Sequence, residues 1–549
     1  MLFFTLKSII MIKKALLVCE DNTGIIDFAQ FLIKSGWSIF SNGKTAELFK
    51  ENNIPFKTES AFNLSSHPIH DCSALMQKIL QTRIIDSTSP FENSDDENNF
   101  FIVCLNFDPI VAHFNPILKS GVPSSSLYSF TASLIRNCCT NYPNVLILTD
   151  PKDYKEALIE IRTEDIQPAF RTYLTGKALN LVSAYDAANA IAILKNNPFN
   201  TSSFLNYLTL PYKKKLELHH ALNPQQEAVV YQLGGDEGSL SGFKKIQGKE
   251  LTFKCSIDTS FAWDQVSALY DNLKNQTSVK SLTSEGYPYT TQFTPIKGTV
   301  FSVLVKYKKV VGAALDSNVL DSFKKTVSPD PDSNNKASLA CSAVIDADSA
   351  REMLNYNLEG IIAPGFTEEA KDILSHIPET RLIIANLPAS KSMGGTIIDG
   401  GVISFTPDKN LYEKWVIPTK NRPNQKQVDQ IALGTLIAST ASSYASVLIK
   451  DNSVVGVGAG FTSRSKSLEN VCYEAKQVFK SHPTDDNKIA DVLVCDTSIG
   501  LTEAVIEMIE RGVSAILQTG GNPQDQEFIN YCDEHNVAMV FTGMTHYTY

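Results

Sequence analysis

The strongest constraint on this chain is a change of hydrophobic period, from short apolar runs to helical spacing, across tight polar turns. Lys14–Cys19 is an apolar run that stops at Glu20-Asp21-Asn22-Thr23-Gly24, and helical spacing begins at once with Ile25, Phe28, Phe31 and Leu32. Trp37–Phe40 supplies a second strand, and Asn42–Thr45 is a turn that opens a second helix. A run too short for a buried helix, cut by a turn and followed by an amphipathic helix, predicts a parallel α/β unit. Phe100–Leu105 and Val145–Leu148 read as further strands, and about Ala169–Lys195 as a long closing helix. The polar, acidic stretch Asp86–Asn99 predicts a solvated or disordered loop. Lys195–Ser203 (KNNPFNTSS) reads as the interdomain linker. Beyond it, strand-like runs at 447–449, 492–495, 515–517 and 537–541 alternate with helical patterns. A second soft spot starts at Ser328-Pro-Asp-Pro, and no short repeat period shows.

Charge and composition exclude several classes. Lys plus Arg number 49 against 59 Asp plus Glu, a net of −10, which gives a nucleic-acid partner no basic footprint. No apolar stretch approaches the length of a membrane span. The 10 cysteines are scattered without a CxxC pair, which predicts reduced thiols, a cytoplasmic setting and neither a disulfide framework nor a metal site. The first ten residues lack a basic leader and a small-residue cleavage site, so 1–11 reads as an N-terminal extension, with Met11 an alternative start.

Two turns have anion-binding potential. Ser41-Asn42-Gly43-Lys44-Thr45 places hydroxyls and N–H groups at a helix start, although a capped helix start has the same appearance. Ser463-Arg464 follows a glycine-rich run, Gly456-Val-Gly-Ala-Gly, and that chemistry suits a phosphate or carboxylate. The run departs from a dinucleotide fingerprint, so its glycines read as places of close backbone approach. His219 and His220 on a strand would face opposite ways, which disfavours a shared metal.

Several strings taken in order are similar to the bifunctional family that joins AICAR transformylase to IMP cyclohydrolase. They include Ala15–Gly24, Ser41–Ala46, Leu148–Tyr154, Ala184–Ala188, Ile361–Ala370, Gly456–Arg464 and Asp533–His546, with IIAPGFTEEA and DEHNVAMVFTG the most specific. The resemblance implies a Rossmann-like, methylglyoxal-synthase-like cyclohydrolase domain over 12–199. It further implies two cytidine-deaminase-like α/β subdomains over 204–549, with a soft boundary in 328–380. A homodimer is implied as well, with AICAR, its formylated product FAICAR or IMP as nucleotide ligand and 10-formyltetrahydrofolate as co-substrate, and no tightly bound cofactor.

The same resemblance assigns site residues. The family's K-H-x-N-P-C-G run falls on Lys306–Gly312, keeping Lys306 but placing Tyr307 at the catalytic histidine and Lys309 at the asparagine. A phenol of pKa near ~10 is a poor base at neutral pH. Asn223, Gln226, Ser463 and Arg464 are retained as substrate contacts, whereas Tyr444, Phe461 and Thr545 stand where the family has Asn, Gln and Arg. In the cyclohydrolase half, Thr23, Gly24, Ser41, Gly43 and Thr45 match the nucleotide-binding strings. Asp108 and Tyr128 occupy the catalytic Tyr and Asp positions in exchanged order, a proton-relay pair if the roles are swapped. Three readings stay open: a divergent enzyme, a folded binder without turnover, and a new reaction on the same scaffold.

Overall fold

The computed structural model describes residues 13–58, 101–108, 126–163, 166–195, 204–233, 243–293, 298–386, 394–406, 408, 410–483 and 486–548. The expected acidic loop, and residues 196–203 of the expected linker, lie outside them. The chain divides into two compact units, Met1–Lys213 with Leu233–Gly235, and Lys214–Gln232 with Asp236–Tyr549.

The first unit runs β1 (Lys14–Cys19), α1 (Ile25–Lys34), β2 (Ser38–Ser41), α2 (Gly43–Glu51), β3 (Ile102–Asn106), α3 (Ser126–Thr140), β4 (Leu146–Leu148), α4 (Tyr154–Thr163) and α5 (Pro168–Lys195). Its strands form a parallel sheet in the order β2-β1-β3-β4. β3 and β4 are buried along their whole length, as strands covered on both faces must be. One face packs Ala132, Ile135 and Cys138 of α3 with Val182 of α5, and the other packs Phe28 of α1, Phe49 of α2 and Ala157 of α4. The strand–turn–helix alternation read from the sequence therefore holds.

The chain continues through β5 (Tyr212–Leu218), β6 (Ala228–Leu233), β7 (Lys244–Gln247), α6 (Phe253–Asn275), β8 (Ser278–Leu282), β9 (Pro288–Gln292), β10 (Val300–Lys306) and β11 (Lys309–Asp316). Then come α7 (Val319–Val327), β12 (Ser338–Cys341), α8 (Ala347–Met353), β13 (Gly360–Ala363), α9 (Glu368–Leu374) and β14 (Arg381–Ile384). A hairpin of β15 (Gly394–Ile398) and β16 (Gly401–Phe405) precedes β17 (Lys414–Val416) and α10 (Gln425–Thr440). The end is β18 (Ser446–Lys450), β19 (Ser453–Gly458), α11 (Arg464–Ser481), β20 (Val492–Cys495), α12 (Glu503–Glu510), β21 (Ala515–Gln518), α13 (Asp525–Glu534) and β22 (Ala538–Phe541).

Fourteen of these strands make one mixed sheet, and its order β14-β13-β12-β10-β11-β19-β18-β20-β21-β22 is a near mirror about its middle. Each half is a long helix, an antiparallel hairpin, and three helix–strand steps that add parallel strands. Both hairpins slip register near their ends, at Leu304/Val305 and Leu448/Ile449, and both turn on two residues with positive φ. The second unit is thus a structural duplication without a visible sequence repeat. One core, including Trp263 of α6 and Leu433 of α10, spans both halves, and separate cores under α7–α9 and α11–α13 cover the opposite faces.

Candidate functional site

The two hairpins meet at the centre of the sheet, where β11 and β19 pair at Ala314 and Ser453. From there a groove of about 1430 Å³ opens, lined by residues 306–311, 329–333, 441–444 and 454–457 and by Phe461 and Tyr547. Its floor includes one polar stripe of α11, Asn470, Glu474, Gln477 and Ser481, spaced as successive turns of one helix face.

Lys306 and Tyr307 line this groove. Lys306 Nζ donates to the Ser333 carbonyl at 3.4 Å. Tyr307 and Lys308 are the two central residues of the turn, with φ of 54° and 59°, a left-handed conformation that favours Gly or Asn. The fully buried Asp258 carboxylate holds them there by accepting the Tyr307 N–H at 3.1 Å and the Lys308 N–H at 2.7 Å. Lys254 in turn bonds Asp258 and Glu359, each at 2.8 Å. Burial alone would lower the Lys254 pKa, but these two carboxylates raise it above the ordinary lysine value. The Tyr307 phenol is 69% exposed and its ring lies 5.1 Å from the Lys254 ammonium. An exposed phenol at a turn tip has none of the enclosure that makes a base.

The facing wall is aromatic. The Arg464 guanidinium lies 5.1 Å from the Tyr444 ring, and Tyr444 meets Tyr547 edge-on with centroids 6.0 Å apart. Hydrogen bonds to Thr497 and Arg464 lower the Tyr547 pKa below the usual phenol value. Behind them the Ser443 hydroxyl donates to the buried Asp496 carboxylate at 2.6 Å. Burial raises the Asp496 pKa despite that bond. His546 ties down the chain end, with Nδ1 2.6 Å from Asp408 and Nε2 3.1 Å from the Leu411 carbonyl.

The glycine run serves packing. A Cβ on Gly456 or Gly458 would stand 2.9 Å from the Val471 carbonyl oxygen or 2.2 Å from that of Ser467, so these glycines let β19 lie against α11. Ser463 is the N-cap residue of that helix and makes no capping side-chain bond. Neither Ser463 nor Arg464 belongs to the groove lining, and Arg464 reaches it through Tyr444 and Tyr547. Asn223 and Gln226 are also outside the lining, in an exposed turn closed by their own bonds of 3.0–3.2 Å.

In the first unit the Ser41–Thr45 turn is tied into the scaffold. The Ser41 hydroxyl donates to the Leu17 carbonyl at 2.7 Å, and the Thr45 hydroxyl sits 2.8 Å from both the N–H and the carbonyl of Cys19. Both side chains are buried, so the expectation that these hydroxyls face an anion gives way to a joint between β1, β2 and α2. Asn42 takes the Gly43 N–H at 2.7 Å, a helix cap. Thr23 donates its N–H to Asp21 at 3.0 Å, and Gly24 at φ 69° starts α1. Asp108 is ion-paired with Lys213 at 2.5 Å. Tyr128 lies on α3, but its side chain is outside the described residues, as is the relay that would use it. Among the described residues no group of His, Cys, Asp and Glu is placed to hold a metal.

Sequence reasoning passed over Glu474, His546 and Asp496. Glu474 alone left a readable signal, the polar stripe at helical spacing, whereas the other two depend on contacts remote in sequence.

The fold and site define a two-part α/β protein: a parallel α/β unit followed by a duplicated α/β unit with a lysine-edged groove at its centre. Residues 138–474 match the AICARFT/IMPCHase bienzyme family, and the chain belongs to it. It is 28% identical to the bifunctional purine biosynthesis protein PurH of Clostridium acetobutylicum over 545 residues, covering 98% of this chain and 100% of that protein. It is 27% identical to the PurH of Brachyspira hyodysenteriae over 546 residues, with the same coverage.

Proposed function

We propose that this protein is a purine-nucleotide-binding member of the bienzyme family whose central groove binds its ligand with formyl transfer greatly reduced. The observation that carries this reading is the hairpin tip: Lys306 lines the groove, but the adjacent position holds an exposed phenol in place of an imidazole. Formyl transfer to AICAR needs a base to take the proton of a weakly nucleophilic amine and a cation to steady the leaving folate nitrogen. Lys306 is suited to the second task; nothing at Tyr307 is suited to the first. In the first unit the Asp108–Lys213 ion pair fits a structural role for Asp108 better than a proton relay.

The test mixes the protein with AICAR and 10-formyltetrahydrofolate, following tetrahydrofolate release by absorbance and thermal stability in parallel. A rise in Tm with AICAR or IMP, without measurable release, supports the reading, because a ligand of the native state stabilises by mass action. Release that Lys306→Ala abolishes would make the protein a working transformylase and overturn it. Homodimerisation, and 10-formyltetrahydrofolate as a second ligand, belong to the same proposal.

A further inference from the structure

We propose that the groove selects a guanine nucleotide, with Glu474 reading the N1–H and 2-amino edge of the base and Lys306, Lys308 and Lys309 neutralising the phosphate. This rests on the reading of the groove as a nucleotide site and adds its specificity.

Glu474 is a half-buried carboxylate in the groove lining, and both of its oxygens are fixed. Oε2 accepts the Val457 N–H at 2.9 Å, and Oε1 accepts Asn470 Nδ2 at 2.9 Å. No lysine or arginine pairs with it among the described residues. Each oxygen keeps a second lone pair, so the carboxylate is held as a two-point acceptor. The complement of a two-point acceptor is two parallel donors, which guanine presents at N1–H and the 2-amino group. Hypoxanthine presents the first alone, adenine presents an acceptor at N1, and the 2-oxo group of xanthine would be repelled. Burial raises the Glu474 pKa above the usual carboxylate value, and Asp330 on the neighbouring wall adds to that rise.

The tail of the ligand has its own partner. Lys306, Lys308 and Lys309 stand on one turn, line the same groove, and none makes an ion pair among the described residues. The Asp258 clamp fixes the backbone that presents them. Lysines on one turn and a fixed carboxylate in the lining of the same groove suit a ligand that is anionic at one end and a donor at the other, which is a nucleotide.

Titration calorimetry on the full chain with GMP, IMP and folic acid tests this. GMP is expected to bind about tenfold more tightly than IMP, the effect of one further hydrogen bond to a charged acceptor. Glu474→Gln should bring that ratio close to one, while Lys308→Ala/Lys309→Ala should weaken both nucleotides alike and leave the ratio standing. Equal affinities in the parent protein, or a ratio that survives E474Q, would overturn the assignment of Glu474. Folic acid binding that depends on Glu474, with no GMP binding, would overturn the guanine assignment alone. Absence of binding by all three would remove the nucleotide reading of the groove itself.

Discussion

Tyr307 and Lys308 occupy a backbone region that costs an L-residue about 1–2 kcal/mol, and Asp258 offsets that cost by accepting both N–H groups. Asp258→Ala should therefore destabilise the second unit by roughly 3 kcal/mol in chemical denaturation, since it removes two buried acceptors and a partner of Lys254. Lys308→Gly should add about 0.5 kcal/mol, because the relieved strain exceeds the extra chain entropy of glycine. His546 gives a pH-dependent counterpart. Burial would lower its pKa, but Asp408 and the Leu411 carbonyl outweigh that and raise it above the ordinary 6.5. A raised folded-state pKa means stability that is fully present below about 6.5 and is lost as pH rises through the folded value. The Tm difference between the parent and Asp408→Asn should accordingly be largest near pH 5.5 and shrink by pH 8.5. The lysine–tyrosine pair at 306–307 was legible in the sequence. The left-handed turn was not, because Tyr and Lys carry no turn signal and the residue that enforces it lies about fifty positions away.

The elements were easier to read than the contacts between them. Hydrophobic runs at 14–19, 447–449, 492–495 and 515–517 became strands because burial on two faces leaves no polar position to interrupt them. The glycines of β19 were visible, but an anion loop and a tight strand–helix contact use the same residue type. Geometry separates the two: a methyl group at Gly458 would meet the Ser467 carbonyl oxygen at 2.2 Å, and one at Gly312 in the first half, the register counterpart of Gly456, would meet that of Thr326 at 2.0 Å. In both cases the obstacle is helix backbone, which cannot rotate away. Gly458→Ala is expected to destabilise by about 1–3 kcal/mol through forced displacement of α11. Glu474 and Asn470 ride on that helix, so nucleotide affinity should fall in the same variant. Gly312→Ala should destabilise comparably, since α7 is pressed away from β11 in the same manner. Denaturation midpoints for the two variants, with calorimetry on the first, check both statements.

At the scale of the whole molecule the duplication explains why the groove is central: two related halves join through β11 and β19, and the cleft between their hairpins belongs to both. The hairpin of β15 and β16 has no such partner. It pairs with no other strand among the described residues, and Ile397 is 88% exposed and Ile403 54%. Ile398, Val402 and Phe405 are also exposed, so every side chain of the ribbon other than Thr396, Asp399 and Ser404 is apolar. A two-stranded ribbon is marginal alone in water, and this one carries the apolar surface of an interface. Association of two copies through it would remove that surface from solvent at ~25 cal/mol per Å². The proposed homodimer thus makes a specific demand: Ile397→Asp/Ile403→Asp should convert a dimer to a monomer in sedimentation, with the secondary structure unchanged by circular dichroism and the concentration dependence of Tm lost. The hairpin stands outside the 14-stranded sheet, so its substitution has no core to disturb. A parent protein that sediments as a monomer at micromolar concentration, or a variant that stays dimeric, would show that the apolar ribbon serves another end.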